Sequence, residues 1–304
     1  MKNQLVSKYS LTKRIKDNWR MYVMLFPFFL FFAVFVVYPV IMSIVLSFTE
    51  YNVLEAPKFV GLNNYRRLFL EDTVFSKALT NTMIFAVITG PVGYLISFFM
   101  AWIINEFGRY MRAFLTFIFY IPSISGTIYT IWGIIFDSDI YGFANSFLIN
   151  WGFINSPIDW FTNEKYILPL IIIVQLWMSM GVGFLAMRAG FQTTDIECYE
   201  AAAIDGVKNR WQELYYITIP MMAPHLLTAA VLQITNMFSN AIVSQTLAGN
   251  PSTNYAGHLL INHLNDFSAI RMERGYASAI AVILFFIMIG INALILKLVR
   301  KVSD

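Results

Sequence analysis

Amide and hydroxyl side chains cluster in one otherwise apolar stretch of the sequence, LQITNMFSNAIVSQ. Gln233, Asn236 and Asn240 recur at positions i, i+3 and i+7, which places them on one face if the stretch is a helix. Ser239 lies in the same stretch. Amides donate and accept hydrogen bonds, so the stripe suits a ligand with many hydroxyl groups. The alternative is that these side chains bond to neighbouring helices.

A second apolar stretch, VQLWMSMGVGF, offers Trp177 and Ser179 as further ligand contacts. An indole ring can stack on the apolar face of a cyclic, hydroxylated ligand, and a packed core tryptophan is the alternative. Tyr129 and Trp132, in a third apolar stretch, are weaker candidates and are better explained by packing.

Residues for catalysis or metal binding are scarce. The single cysteine, Cys198, allows no intrachain disulfide. His258 and His263 lie five positions apart without the acidic partner of an HExxH pattern. The sequence has no GxxxxGK[ST] loop to hold the phosphates of a nucleotide. We therefore expect no enzyme activity and no metal or cofactor bound by this chain.

The composition indicates a membrane protein. Of the 304 residues, 58% are hydrophobic and 13% are charged, whereas soluble domains carry about a quarter charged residues. The net charge of +3 is too small to indicate a nucleic-acid partner. We predict a single membrane domain over residues 21–304, surrounded by lipid and preceded by a basic tail over residues 1–20.

Six windows contain no Asp, Glu, Lys or Arg and are long enough to cross a bilayer, which takes about 20 apolar residues. Backbone polar groups must be satisfied inside each span, so the windows are predicted to be helices and the fold all-α. The six windows are residues 21–49, 78–105, 113–136, 166–187, 221–247 and 275–296.

The basic residues predict the orientation, because Lys and Arg accumulate on the cytoplasmic side of a membrane. The tail MKNQLVSKYSLTKRIKDNWR is rich in both, so we place it in the cytoplasm. Six spans then return the C-terminus, with Arg300 and Lys301, to the same side. Both termini are thus expected to be cytoplasmic.

The longest predicted cytoplasmic loop, residues 189–219, carries helix signals of its own. Thr193, Thr194 or Asp195 can cap a helix that begins near residue 196. Gly206 suits the left-handed bend that often ends a helix, and a second short helix fits residues 209–216. Such a helix–bend–helix could dock a cytoplasmic partner, or it could merely connect two spans.

Within this loop, EAAAIDGVKNRWQELYYITIP resembles the EAA loop of permeases from bacterial ABC importers. Ile219 stands where that pattern usually has Leu, and the Gly-to-Ile spacing is one residue longer than its usual form. The resemblance assigns ATPase coupling to this loop. The residues that we assign to coupling are Glu197, Glu200, Ala201, Ala202, Asp205, Gly206, Ile217 and Pro220.

Further stretches resemble the carbohydrate-uptake branch of that family, the relatives of the maltose permeases. They are FVGLNNYRRLF, NTMIFAV, GYASAIAVILFF and the degraded turn LAGNPST, in the expected order. By the same resemblance, the fifth span lines the sugar pocket, with Asn236 and Ser239 as the best matches. The candidate substrate contacts are Trp177, Ser179, Gln233, Asn236, Ser239 and Asn240.

The resemblance implies the type I importer permease fold, with six transmembrane helices and cytoplasmic coupling helices. It also implies a bacterial plasma membrane and alternating access. The expected partners are a second, homologous permease, most simply as a heterodimer, two ATPase subunits that hold the ATP and Mg²⁺, and an extracytoplasmic sugar-binding protein.

Other transporters would need features that the six windows lack. An ion-coupled carrier would want a carboxylate within a span, and an anionic substrate would favour a buried Arg or Lys; the windows contain neither. An ABC permease for a non-sugar solute remains the alternative.

Overall fold

The computed structural model describes residues 18–126, 128–193, 195–240 and 242–303, with side chains up to Lys297. This part of the chain is mostly helical, and its one strand pair joins β1 (Thr49–Glu50) to β2 (Lys58–Phe59). The helices are α1 (Trp19–Phe32), α2 (Tyr38–Leu46), α3 (Asn63–Leu70), α4 (Thr73–Asn105), α5 (Arg109–Ile124), α6 (Tyr129–Ile135), α7 (Phe143–Asn150), α8 (Glu164–Trp177), α9 (Val182–Thr193), α10 (Ile196–Ile204), α11 (Arg210–Glu213), α12 (Ile219–Met221), α13 (Ala223–Ser239), α14 (Ile242–Ala248), α15 (Leu260–Asn265) and α16 (Arg274–Ser303).

Four helical segments of the described chain are long and apolar enough to cross a membrane: Trp19–Leu46, Thr73–Asn105, Glu164–Thr193 and Arg274–Lys297. Two bent pairs raise the number to six if each pair is one span. They are Arg109–Ile124 with Tyr129–Ile135, and Arg210–Met221 with Ala223–Ser239.

Helix α4 separates two ends of the bundle. It has 33 residues and is therefore roughly 50 Å long. Near its start, Asn81 donates hydrogen bonds to the Tyr255 and His258 carbonyls. Just beyond its other end, Glu106 pairs with Arg210. We call the end around Arg210 the loop end and the end around His258 the far end.

The third and fifth windows, 113–136 and 221–247, are not continuous helices. Helix α5 ends at Ile124, where Ser125 turns extended, and α13 ends at Ser239, where Asn240 does the same. The Asn240 side chain accepts a hydrogen bond from the Ile242 backbone N–H at 3.1 Å. Short polar side chains compete in this way with the hydrogen bonds of a helix. A search for windows without charged residues does not detect such helix ends.

The fourth span extends further than the window 166–187. Helix α9 continues to Thr193 and so includes Arg188, which is 3% exposed. The expectation that the spans hold no buried basic residue is therefore wrong. Arg188 donates to neutral acceptors on α4 and α5, which replace part of its hydration.

The first span lies at the edge of the described chain. None of its most apolar 18 residues is buried against the rest of the chain, although α2 packs on α16. An apolar helix without internal partners must be covered by lipid or by another chain. This span thus supplies surface rather than core.

A polar network ties the far end together. Asp72 caps α4 by accepting from the Phe75 N–H at 2.9 Å. Its carboxylate also contacts His263 at 2.9 Å and Tyr276 at 2.7 Å. Burial opposes ionisation of Asp72, but the hydrogen bonds from His263 and Tyr276 outweigh it and hold the pKa of Asp72 well below its usual range.

Gly275 marks a close approach between α16 and the chain just after α2, and its N–H donates to the Tyr51 carbonyl at 3.1 Å. A Cβ there would overlap the Thr49 carbonyl oxygen. We predict that Gly275→Ala costs about 1–3 kcal/mol and lowers the melting temperature in detergent. The control is Gly290→Ala on the same helix, where a Cβ meets no atom within 4 Å. Equal melting temperatures for the two variants would contradict the prediction.

His258 predicts a pH dependence of stability. Burial, together with the neighbouring His263, lowers the pKa of His258 to about 4. In the unfolded chain this imidazole takes up a proton near pH 6.5, and in the folded protein only near pH 4. The contribution of neutral His258 to the free energy of unfolding is therefore complete above pH 6.5 and is lost as the pH falls towards 4. We expect the melting temperature to fall between pH 7 and pH 5, and to fall less in His258→Phe. An unchanged pH slope in that variant would rule the assignment out.

Candidate functional site

The loop between α9 and α13 folds as a helix, a bend and a second helix, as the sequence predicts. Asp195 caps α10 by accepting from the Glu197 N–H at 3.2 Å. Gly206 takes a left-handed φ of +97°, a conformation that glycine adopts without strain. The Val207 N–H returns to the Ala202 carbonyl at 3.0 Å and closes the end of the helix.

Helix α10 presents an uncovered surface. None of its residues is buried. Ile196 and Ile204, at its two ends, are 70% and 88% exposed. Glu197, Glu200 and Ala201 are exposed between them. Aliphatic side chains in such positions favour a partner surface that covers them.

The second half of the loop is fixed firmly to the bundle. Arg210 forms ion pairs with Glu106, just after α4, at 3.2 Å and with Glu213 at 2.7 Å. The Trp211 ring lies 5.0 Å from that of Trp102 on α4. The Tyr199 hydroxyl lies 2.9 Å from the Thr218 hydroxyl and joins the two halves of the loop. These contacts connect α10 to α4 and to the segment that leads into α13, so a displacement of α10 would shift both.

A π-helical turn over Leu214–Thr218 lies between α11 and α12. Such a turn holds one more residue than an α-helical turn, which equals the difference between the Gly-to-Ile spacing here and its usual form. Leu214 and Thr218 are buried in it, whereas Ile217 is half-buried and Pro220 is exposed. The predicted coupling residues thus divide into two groups. Those on α10 and its bend, Glu197 to Gly206, are exposed except for the half-buried Ala202, and the pair Ile217 and Pro220 lies near the base of α13.

A cavity with several hydroxyl and amide groups in its lining opens where α5 and α13 end. Its volume is about 390 Å³. The Asn240 amide donates to the Tyr129 hydroxyl at 3.4 Å across it. No charged side chain lines this cavity among the described residues. Its lining consists of Ser123, Ile124, Ser125, Gly126, Tyr129, Met178, Asn236, Ser239, Asn240 and Ile242.

Three of the six predicted substrate contacts, Asn236, Ser239 and Asn240, meet in this cavity. Gln233 does not join them. It is 8% exposed, and its amide lies between Gly93 and Gly183, which have no side chains to exclude it. The predicted stripe is therefore divided: Gln233 packs between helices, and Asn240 lies beyond the end of the helix.

Trp177 and Ser179 also lie away from the cavity lining. The Trp177 ring packs edge-on against Trp132 at 5.3 Å, in a row of aromatic rings. Ser179 is buried, and its carbonyl accepts from the Ser97 hydroxyl at 3.1 Å. For these two residues the structure favours the packing interpretation.

Ser123 and Ser125 line the cavity although the sequence patterns did not predict them, and Tyr129, for which packing was the favoured interpretation, lines it too. Ser123 and Ser125 precede Gly126 in the stretch YIPSISG, where a proline and a glycine flank the end of α5. Small and helix-disrupting residues together inside an apolar window predict a helix break, and this pattern would have identified Ser123 and Ser125 as candidates. No group of three or more His, Cys, Asp or Glu suited to a metal ion occurs in the described chain.

Comparison with known proteins agrees with this architecture. Residues 93–304 match the family described as the binding-protein-dependent transport system inner membrane component. The chain belongs to this family. The permease is thus the membrane subunit of an ABC transporter and is not itself an enzyme.

Curated relatives extend the match over most of the permease. It is 32% identical over 286 residues to the arabinooligosaccharides transport system permease protein of Bacillus subtilis (strain 168), covering 91% of this chain and 87% of the relative. It is 34% identical over 229 residues to the lactose transport system permease protein of Rhizobium radiobacter, covering 74% of each.

Solved structures show the same fold. A bacterial alginate ABC transporter in complex with an alginate pentasaccharide-bound periplasmic protein contains a chain with a TM-score of 0.75 and 22% identity, covering 97% of the permease and 98% of that chain. The permease therefore has the type I ABC importer fold, and it is an integral membrane protein.

The cavity predicts separate effects on transport and on ATP hydrolysis. Replacing Asn236 by Ala removes a hydrogen-bonding group from the lining, so we expect uptake to fall roughly two- to tenfold at unchanged basal ATPase activity. The matched control is Thr235→Ala, because Thr235 is exposed outside the lining and bonds only to the Val231 carbonyl of its own helix among the described atoms. Unchanged uptake by the Asn236 variant would assign this side chain to packing.

Proposed function

We propose that the permease carries a sugar or short oligosaccharide inward, as part of an ATP-driven importer supplied by a binding protein. The observation that carries this proposal is the cavity at the ends of α5 and α13, in which Asn236, Ser239, Asn240 and Tyr129 present amides and hydroxyls. Such groups match the donors and acceptors of sugar hydroxyls. The names of the curated relatives, which concern arabinooligosaccharides and lactose, support the same class of substrate.

The broken helices beside the cavity support its assignment as the substrate site, because transporters commonly bind their substrates where interrupted helices meet. Broken helices are tolerated inside a bilayer where they line a polar space. Here α5 and α13 both end at the cavity, so movement of either helix end would change its shape. Alternating access then requires only that the cavity open towards one side of the membrane at a time.

The ATPase subunit would act on the permease at the loop end. In this proposal α10 and the Gly206 bend seat in a cleft of a cytoplasmic ATPase subunit, which covers Ile196 and Ile204. ATP and Mg²⁺ are held by that subunit, and this chain binds no cofactor. The ion pair between Arg210 and Glu106 and the Tyr199–Thr218 contact would transmit the movement to α4 and α13.

The complete importer would contain this permease, a second homologous permease, two ATPase subunits and an extracytoplasmic sugar-binding protein. The uncovered first span offers one surface for lipid or for the second permease. We expect a heterodimer, because permeases of this kind are commonly two different, homologous chains, and a homodimer is the alternative. We place the assembly in a bacterial plasma membrane, with both termini and the loop end in the cytoplasm, because the basic residues follow that orientation.

Reconstitution tests this proposal. The permease, its partner subunits and the binding protein are placed in proteoliposomes, and ATP-dependent uptake of labelled oligosaccharides is compared with uptake of amino acids. Uptake of oligosaccharides alone would support the proposal. Uptake of amino acids alone would replace it with a permease for another solute.

Gly206 provides the test of coupling. No atom lies within 4 Å of a Cβ built there, but its φ of +97° strains any other residue. We predict that Gly206→Asp leaves the permease in the membrane and lowers uptake about tenfold, the scale of a typical coupling free energy. Gly152→Asp is the matched control, since Gly152 has a φ of +74° and equally open surroundings. Normal substrate-stimulated ATPase activity in the Gly206 variant would refute the coupling role.

A further inference from the structure

The geometry points to an acidic sugar: we infer that the transported oligosaccharide carries a carboxylate or another anionic group, and that Arg109, Arg112 and Arg188 line its exit. This inference rests on the proposed function and narrows its substrate. It arises from a second cavity, of about 610 Å³, between α5 and α9.

Arg188 is the buried member of the three. Its guanidinium donates to the Ala101 carbonyl at 3.3 Å, the Asn105 side-chain oxygen at 3.2 Å and the Thr116 hydroxyl at 3.4 Å. All three acceptors are neutral and all three contacts are long. A buried cation without a counter-ion is unfavourable, so a position beside Arg188 favours an anion.

Arg109 and Arg112 line the same cavity. Among the described residues, none of the three arginines forms an ion pair with a carboxylate, and no acidic residue lines this cavity. The nearby Glu106 and Glu213 are both engaged by Arg210. The positive charge of the second cavity is therefore not neutralised within the described chain.

The two cavities lie along one face of α5. Arg112, Thr116, Tyr120 and Ser123 follow one another at helical spacings of four, four and three residues. The first three line the arginine cavity and Ser123 lines the amide cavity. A continuous polar stripe thus runs from the candidate sugar site to the three arginines.

Helix α9 supplies the opposite side of this path. A Cβ at Gly181, just before α9, would lie 3.6 Å from the Ser123 side chain and 3.9 Å from the Asn236 amide nitrogen. Arg188 and Gln192 follow Gly181 by seven and eleven residues, close to two and three helical turns. The arginines consequently occupy the loop end of the path that begins at the amide cavity.

Two features make this arrangement suitable for an acidic sugar. The amide cavity has no acidic lining residue to repel an anion, and its amides and hydroxyls can donate to a carboxylate. The arginines then attract the anion towards the loop end and compensate for the loss of its hydration. Basic residues that served only to orient the spans would not need to be buried, as Arg188 is.

The test uses matched sugars in the reconstituted importer. Each acidic oligosaccharide, rich in uronic acid, is paired with its carboxyl-reduced form, which keeps the length and the linkages but loses the charge. We expect ATP-dependent uptake of at least one acidic member and at least about tenfold less uptake of its reduced partner. Uptake of reduced or neutral sugars alone would overturn the acidic substrate while leaving sugar import intact. Uptake of neither kind would count against both.

Variants connect this selectivity to the arginines. Arg188→Gln should lower uptake of the acidic sugar about tenfold, which is the effect of losing one charge-assisted hydrogen bond. The separate variant Arg112→Gln, at a less buried arginine, should lower uptake by a similar factor. Arg188→Lys keeps the positive charge and should retain more uptake than Arg188→Gln. Lys297→Gln removes one charge outside the cavity and should have no effect. Equal losses for acidic and reduced sugars would make the arginines structural. If instead the Arg variants changed only the dependence of stability on phosphatidylglycerol in the vesicles, the cavity would be a phospholipid site and the inference would be wrong.

Discussion

A helix that ends within an apolar bundle frees backbone groups that need new hydrogen-bond partners, and this constraint shapes the ends of α5 and α13 in the permease. At the end of α5 the Ser125 N–H still bonds to the Ile121 carbonyl at 3.3 Å, and the Ser123 hydroxyl takes up the Tyr120 carbonyl at 2.8 Å. At the end of α13 the Asn240 N–H bonds to the Asn236 carbonyl at 3.1 Å. The small polar side chains that make the breaks tolerable are also those that line the cavity. The same residues thus accompany the helix breaks and supply the hydroxyls and amides of the proposed sugar site.

The loop end follows a different rule, because it combines a fixed half with a free half. Aromatic packing of Trp211 on Trp102 and the ion pair of Arg210 with Glu106 hold the second half against α4. Helix α10 has no such cover. An exposed ion pair contributes little to stability by itself. The contact of Arg210 with Glu106 matters instead because it connects the loop to the bundle. A partner on α10 therefore acts on a segment whose attachment to the spans is already made.

Charge is distributed unevenly along the proposed path. The amide cavity is uncharged in the described chain, whereas the cavity nearer the loop end has three guanidiniums. In the proposed path, the three guanidiniums would attract an anion to the loop end once the path opens there, and ATP would control that opening. The far end, by contrast, is held by the compact network of Asp72, His263 and Tyr276.

The sequence by itself determined the membrane class, the positions of the apolar segments, the helix–bend–helix of the loop and the family resemblance. Each of these depends on local composition or on short-range signals such as the Asp195 cap and the Gly206 bend. Only the tertiary structure decided which polar residues meet. Helical periodicity predicted that Gln233 and Asn240 would share one site. In the structure the Gln233 side chain instead packs between Gly93 and Gly183, which lie on two other helices. The apolar window stopped before Arg188, yet neutral acceptors on α4 and α5 allow the helix to continue through it. Such outcomes depend on partners distant in the chain, and no local pattern contains them.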